Sequence, residues 1–203
     1  MLSFRNLRTT EDVTHWLAGL EERWPERQTV IQHIIDQVRV LSLPLENLVE
    51  LCPGAGSLAE RLLTEFPHMI YTGLDSSALL LAVARERLDA FGTQAALIQT
   101  DLNQDGWLDQ IPEKVQAVVS LQSLHDLGGE TEVARMYGLA HEILVSGGLF
   151  LNADLIVATA QEQAQHPGRC TVARHLELLR AQGFDQVACS LEVGGFGCYV
   201  GVK

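Results

Sequence analysis

Val49-Glu50-Leu51-Cys52-Pro53-Gly54-Ala55-Gly56-Ser57-Leu58-Ala59 is the stretch on which the reading of this chain turns. Asn47 to Leu51 reads as a buried strand, Pro53, Gly54 and Gly56 as a turn, and Leu58, Leu62, Leu63 and Phe66 as one face of a helix. Glycines between a strand and a helix let the backbone approach a ligand closely, and the helix start offers free N–H groups. Asp75 follows 19 residues after Gly56, at the end of the next strand, where a carboxylate can accept both hydroxyls of a ribose.

Working outward, the same alternation of strand and helix continues. Met69 to Leu74 is read as a second strand, Ala95 to Gln99 as a third, Val115 to Ser120 as a fourth and Leu149 to Ala153 as a fifth. Helices are expected over Ser76 to Phe91, with Ser76 or Ser77 as N-cap, over Thr131 to Val145, and over Val172 to Gln182. Ser146-Gly147-Gly148 is expected to stop the middle one and Gly183 the last. Gln186 to Val193 and Phe196 to Val202 pattern as two antiparallel strands joined at Gly194-Gly195. Such a chain is an α/β fold: a doubly wound, mostly parallel sheet with helices on both faces and a C-terminal antiparallel hairpin. Ligands of these folds bind outside the carboxyl ends of the strands.

Two helices precede this pattern. Val13, Trp16, Leu17 and Leu20 share a face in the first; Val30, Ile31, Ile34, Ile35 and Val38 form a stripe in the second. Pro25 is expected at the start of the second helix and Pro44 at its end. Residues 1–44 therefore read as a helical leader or lid, and residues 45–203 as the α/β domain. Core packing is the expected role of Trp16, Trp24 and the isoleucine stripe, with a pocket wall as the alternative.

Charge narrows the partners. The chain has 203 residues, 14 basic against 26 acidic, a formal net of −12. That balance repels phosphate backbones and anionic membrane surfaces, so neither nucleic acid nor membrane is an expected partner. Lys114 and Lys203 are the only lysines, which removes P-loop and most Schiff-base chemistry. Cys52, Cys170, Cys189 and Cys198 have neither C-x-x-C nor zinc-ligand spacing, so four free thiols and no metal are expected. Across the hairpin Cys198 faces Leu191, a poor geometry for a disulfide with Cys189. Met1 to Arg8 lacks the apolar segment of a signal peptide, and the cytoplasm is the expected location.

Gly54-x-Gly56-x-x-Ala59 followed by Asp75 also satisfies a dinucleotide fingerprint, so an NAD-dependent oxidoreductase is one reading. Three features weigh against it. Glu50 stands at the strand end, where a dinucleotide site has an apolar residue. Tyr137-x-x-x-His141 lacks the lysine of a dehydrogenase pair. No second substrate domain is expected after the hairpin.

Glu50-Leu51-Cys52-Pro53-Gly54-Ala55-Gly56 resembles the first motif of the class I S-adenosylmethionine-dependent methyltransferases, which runs acidic, any, Gly, any, Gly, any, Gly. The resemblance continues through Asp75, Asp101-Leu102, Val118 to Leu127 and Gly147-Gly148-Leu149, and covers residues 45–203. It implies a Rossmann-like, seven-stranded sheet ending in a reversed hairpin. It departs at Cys52, which replaces the first glycine and needs an allowed φ/ψ pair.

The resemblance also implies a cofactor site. Cys52, Gly54 and Gly56 would floor the methionine part of S-adenosylmethionine, and Glu50 would interact through that turn with the amino acid end. Asp75 would bind the ribose hydroxyls, and Leu51, Pro53, Ala55 and Ser76 would complete the cofactor-binding set. Asp101 would accept from the adenine amino group, and Leu102 would donate its backbone N–H. Ser120, Leu121 and Gln122 would line the sulfonium side.

For chemistry the segment Gln122-Ser123-Leu124-His125-Asp126-Leu127 is the candidate. His125, near neutrality in pKa, would be a general base or a cap of its loop, and Asp126 would orient it or bind a cationic substrate. Asp105 and Trp107 would close over the adenine, Trp107 alternatively anchoring the core. His33, His141 and His175 read as packing or surface residues. The implied activity is methyl transfer to a small molecule by a monomer or homodimer. A non-catalytic cofactor-binding protein on the same fold is the alternative.

Overall fold

The computed structural model describes residues 4–104 and 106–203. Met1 to Ser3 and Asp105 lie outside them, and with Asp105 its suggested place over the adenine. A short 3-10 turn leads into α1 (Thr10–Arg23) and α2 (Arg27–Arg39). Then follow β1 (Asn47–Leu51), α3 (Ser57–Glu65), β2 (Ile70–Asp75), α4 (Ala78–Leu88), β3 (Ala95–Gln99) and β4 (Val115–Leu121). The chain continues as α5 (Glu130–Ile143), β5 (Leu144–Leu155), α6 (Ala160–Gln165), α7 (Val172–Ala181), β6 (Asp185–Val193) and β7 (Phe196–Val202).

The seven strands form one sheet in the order β3-β2-β1-β4-β5-β7-β6. β1 pairs in parallel with β2 and β4, and β7 enters antiparallel between β5 and β6. The order reverses between β1 and β4, and their carboxyl ends open the crevice where such folds take ligands. Gly194 and Gly195, both at positive φ, make the hairpin turn, and Leu191 faces Cys198 as the alternation indicates. The four cysteines are free.

Helices cover both faces. On one, the α2 stripe of Val30, Ile31, Ile34, Ile35 and Val38 joins α3 and the sheet in a continuous core. On the other, Met136 and Tyr137 of α5 and Leu179 of α7 pack on Phe150 and Tyr199, with Trp107 sealed in beside them. Trp107 is thus a core anchor. A third cluster of Leu7, Val13, Ala55 and Leu80, flanked by Trp16 and Leu17, seats α1 directly over the glycine turn. At about 25 cal/mol per Å² of apolar surface, these contacts, rather than helix propensity, hold the leader helices in place.

Several boundaries differ from the periodicity reading. Ser77 caps α4, but the helix closes at Leu88 and a 3-10 segment carries the chain to Gln94. α5 ends at Ile143, and Ser146-Gly147-Gly148 lies inside β5 rather than stopping the helix. Leu144 pairs there with Val115, the register then shifts so that Ala117 pairs with Leu149 and the extra residues lie in β5, and Gly147 N–H donates to Lys203 O. Pro25 precedes α2 by a turn, and α2 closes before Pro44 is reached. α6 was not anticipated; it carries no apolar stripe, so its sequence has no helical period. No helix among the described residues is long and apolar enough to cross a membrane.

Candidate functional site

The carboxyl ends of β1, β2 and β4, roofed by α1 and the start of α2, enclose a cleft of about 820 Å³. That is the size of a small-molecule site. The glycine turn forms its floor. Cys52, Gly54 and Gly56 all have left-handed backbones, with φ of 57°, 56° and 78°. For Cys52 this costs about 1–2 kcal/mol relative to a right-handed conformation. Its N–H donates to Leu74 O at 2.8 Å, which ties the turn to β2. A Cβ at Gly54 would meet nothing within 4 Å, so the floor stands open where a ligand would lie against it.

Three acids are brought to the rim from successive strand ends. Glu50 is 1% exposed, and Tyr71 Oη donates to its Oε2 at 2.7 Å. Burial raises its pKa to about 7, against the pull of that hydrogen bond and of the Arg27 charge. Asp75 accepts from Gly54 N–H at 3.0 Å and from Ser77 N–H at 2.9 Å. Burial nevertheless moves its pKa upward. Asp101 is exposed and accepts from Asn103 N–H at 2.9 Å.

Of the other anticipated residues, Cys52, Pro53, Gly54, Ala55, Ser76, Leu121 and Gln122 line the cleft. Leu51, Gly56, Leu102 and Ser120 do not. Leu102 is 2% exposed within the core, and Ser120 Oγ shares a hydrogen bond with Ser123 Oγ at 2.8 Å. His33, His141 and His175 stand away from the cleft. His33 meets Ser190, His141 packs on Phe184, and His175 lies buried against Tyr137 and Tyr199.

Gln122, itself at a φ of 56°, leads to a 3-10 turn that presents His125. The imidazole Nδ1 lies 2.5 Å from Asp154 Oδ1, and the His125 amide donates to Asp154 Oδ2 at 3.0 Å. Asp126 sits on the opposite side, its Oδ2 3.3 Å from His125 Nε2. Burial disfavours the imidazolium, but Asp154 and then Asp126 outweigh it, and the net pKa shift is upward. Asp154 is 1% exposed; burial works against its charge, yet the imidazole holds its pKa below the usual carboxylate range.

Three residues of the site, Asp154, Arg27 and Arg169, escaped the sequence reading. Asp154 lies beyond Ala153, where the sequence reading ends the fifth strand, two residues before β5 closes at Leu155; its place near a strand end, like that of Asp75, is the available signal. Arg27 opens α2, is largely buried, and donates from Nε to Gln122 Oε1 at 3.2 Å. Trp16 and Trp24 line the cleft rather than only the core, Trp24 also meeting Phe196 edge-on. Arg169 arrives from the loop after α6. Nothing local distinguishes Arg27 and Arg169 from ordinary helix and loop residues.

The cradle fits an adenosine ligand with a charged amino acid end. The floor is open backbone, the rim is acidic at three strand ends, and Arg27 faces Glu50 across the turn.

Residues 48–148 match the family model described as a methyltransferase domain. The trans-aconitate 2-methyltransferase of Paracidovorax citrulli is 32% identical over 123 residues, 60% of this chain and 45% of the relative. The demethylmenaquinone methyltransferase of Thermotoga maritima is 31% identical over 70 residues, 34% of this chain and 27% of that one. The chain thus spans less than half the length of these curated relatives. The solved structure of human N-acetylserotonin methyltransferase in complex with S-adenosylmethionine superposes with a TM-score of 0.70 at 17% identity, over 97% of this chain and 57% of that one. At that identity the likeness is one of fold.

Proposed function

This chain belongs to the class I S-adenosylmethionine-dependent methyltransferase family, and we propose that it catalyses methyl transfer to a small-molecule acceptor. The observation that carries the reading is the convergence of Glu50, Asp75 and Asp101 on one glycine-floored cleft that also holds the His125–Asp154 pair. The cofactor, when bound, supplies an electrophilic methyl group.

Asp75 would hold the ribose hydroxyls and Asp101 the adenine amino group. Glu50 and Arg27 would take the ammonium and carboxylate of the amino acid end. Gln122, pinned by Arg27, would border the reacting side. His125 would accept a proton from the acceptor at Nε2. Its Nδ1–H is directed at Asp154, which favours the tautomer with Nε2 as the acceptor, and Asp126, 3.3 Å from Nε2, would have to turn aside to admit the methyl acceptor. Trp16, Trp24 and α1 would exclude water from above.

Small-molecule acceptance is supported by the modest cleft and by relatives whose names specify small-molecule acceptors. The four unpaired thiols fit a reducing compartment, the cytoplasm.

Calorimetry with S-adenosylhomocysteine and with NAD tests the cofactor, and transfer of a labelled methyl group from S-adenosylmethionine tests the enzyme. Binding of NAD alone would overturn the reading. Binding of the homocysteine product without transfer to any of a broad acceptor panel would favour a non-catalytic binding protein.

A further inference from the structure

Arg169 is half-buried and lines the same cleft as His125 and Asp126. Among the described residues its guanidinium makes no hydrogen bond and no ion pair. That is unusual in a chain with 26 acidic residues against 14 basic ones. The neighbouring carboxylates are already engaged. Asp126 meets Arg5 Nη2 at 3.3 Å as well as His125, and Asp154 is taken by His125. An arginine held partly out of water without a partner carries a desolvation cost that a planar anion would offset through its paired N–H donors.

The position is built rather than incidental. Arg169 N–H donates to His166 O at 2.8 Å, closing a turn. Gly168 within that turn lies hard against the His125 backbone, where a Cβ would fall on the His125 carbonyl oxygen. Cys170 is fully buried, and its carbonyl accepts from Val157 N–H, just beyond β5. Arg169 is therefore clamped between the His125 loop and the end of β5. Its charge reaches the imidazole, where it opposes protonation.

We infer that the methyl acceptor carries a carboxylate, which Arg169 binds so that the rest of the acceptor lies against His125. The inference rests on the methyltransferase reading and specifies its substrate class. The net charge of −12 repels such acids at long range, so a local cation is what admits them. Arg5 and Arg23 line the same cleft and add to that local field.

The test titrates the full chain, saturated with S-adenosylhomocysteine, with benzoate, benzamide and phenyl phosphate by NMR or calorimetry. Benzoate is expected to bind about tenfold tighter than benzamide, a charge-assisted pair's worth of affinity. Arg169→Gln is expected to abolish the preference, and Arg169→Lys to restore part of it. Equal binding of acid and amide, survival of the preference in Arg169→Gln, or a stronger response to phenyl phosphate overturns the assignment. S-adenosylhomocysteine affinity is measured first in every variant. Its absence in the parent protein would remove the methyltransferase reading itself, and its retention in Arg169→Gln shows that the variant is folded.

Discussion

Asp154 holds His125 at two points, accepting from its backbone N–H through one carboxylate oxygen and contacting the imidazole Nδ1 through the other. The bidentate grip fixes both the place of the loop and the tautomer of the ring. Asp154 is buried and charged, so it can only accept there, and Nδ1 must carry the proton.

This relationship predicts the pH dependence of the Asp154→Asn variant. In the parent protein the carboxylate raises the imidazole pKa above its ordinary value. Replacing it with an amide lowers that pKa, so the acid limb of kcat/KM moves to lower pH. The plateau itself should fall by about a hundredfold or more, because the amide no longer enforces the tautomer. An unchanged profile would remove His125 from the proton transfer.

Glu50 predicts an opposite dependence, read in stability. Unfolded, its proton is released near 4.5; folded, near 7. As pH rises between these values the unfolded chain gains stability from ionising while the folded chain still holds the proton, so net stability falls. Glu50→Gln keeps an acceptor for Tyr71 and carries no charge. Its apo form should match the parent at low pH and exceed it by up to roughly 3 kcal/mol above pH 7. Denaturant melts at pH 5 and pH 8 test this. The same variant should bind S-adenosylhomocysteine more weakly at pH 8, where the ionised carboxylate would meet the ligand's ammonium.

Asp75 ties the turn together and is the proposed ribose ligand, which makes a pair of variants informative. Asp75→Ala loses the bonds to Gly54 and Ser77 as well as any ribose contact. Asp75→Asn keeps one acceptor oxygen. Calorimetry should find S-adenosylhomocysteine affinity reduced about tenfold to a hundredfold in Asp75→Ala, with Asp75→Asn between the two. Unchanged affinity in both would refute the ribose assignment.

Tryptophan fluorescence offers a direct view of the roof. Trp107 is sealed in the core, whereas Trp16 and Trp24 line the cleft. S-adenosylhomocysteine should change the emission of the parent protein. The change should shrink in Trp16→Phe and Trp24→Phe taken together, and a full response in that double variant would place the ligand elsewhere.

The fold was readable because its signals are local. Alternating apolar runs gave the strands to within a residue or two at most ends, and Ser77 and Gly194-Gly195 marked a cap and a hairpin by their own chemistry. Errors fell where a neighbour overrides local preference. Leu144 to Gly148 reads as a helix end, yet the pairing of Leu144 with Val115 and the backbone bonds of Gly147 and Gly148 to Lys203 make it strand. The acids at strand ends were legible because topology alone carries strand ends to one edge. Arg27 and Arg169 were not, since a helix start and a loop give no such direction.

What the sequence determined by itself is the order of the elements, the parallel sheet they imply and the edge at which a ligand must bind. These follow from period, chirality and turn chemistry, all of which act over a few residues. Only the tertiary structure decided which side chains meet across that edge. Arg27 reaches Gln122 across a separation of 95 residues, and His125 reaches Asp154 across 29. Such meetings depend on strand register and on how α1 and α2 pack over the sheet. A shift of one residue in either would separate these side chains.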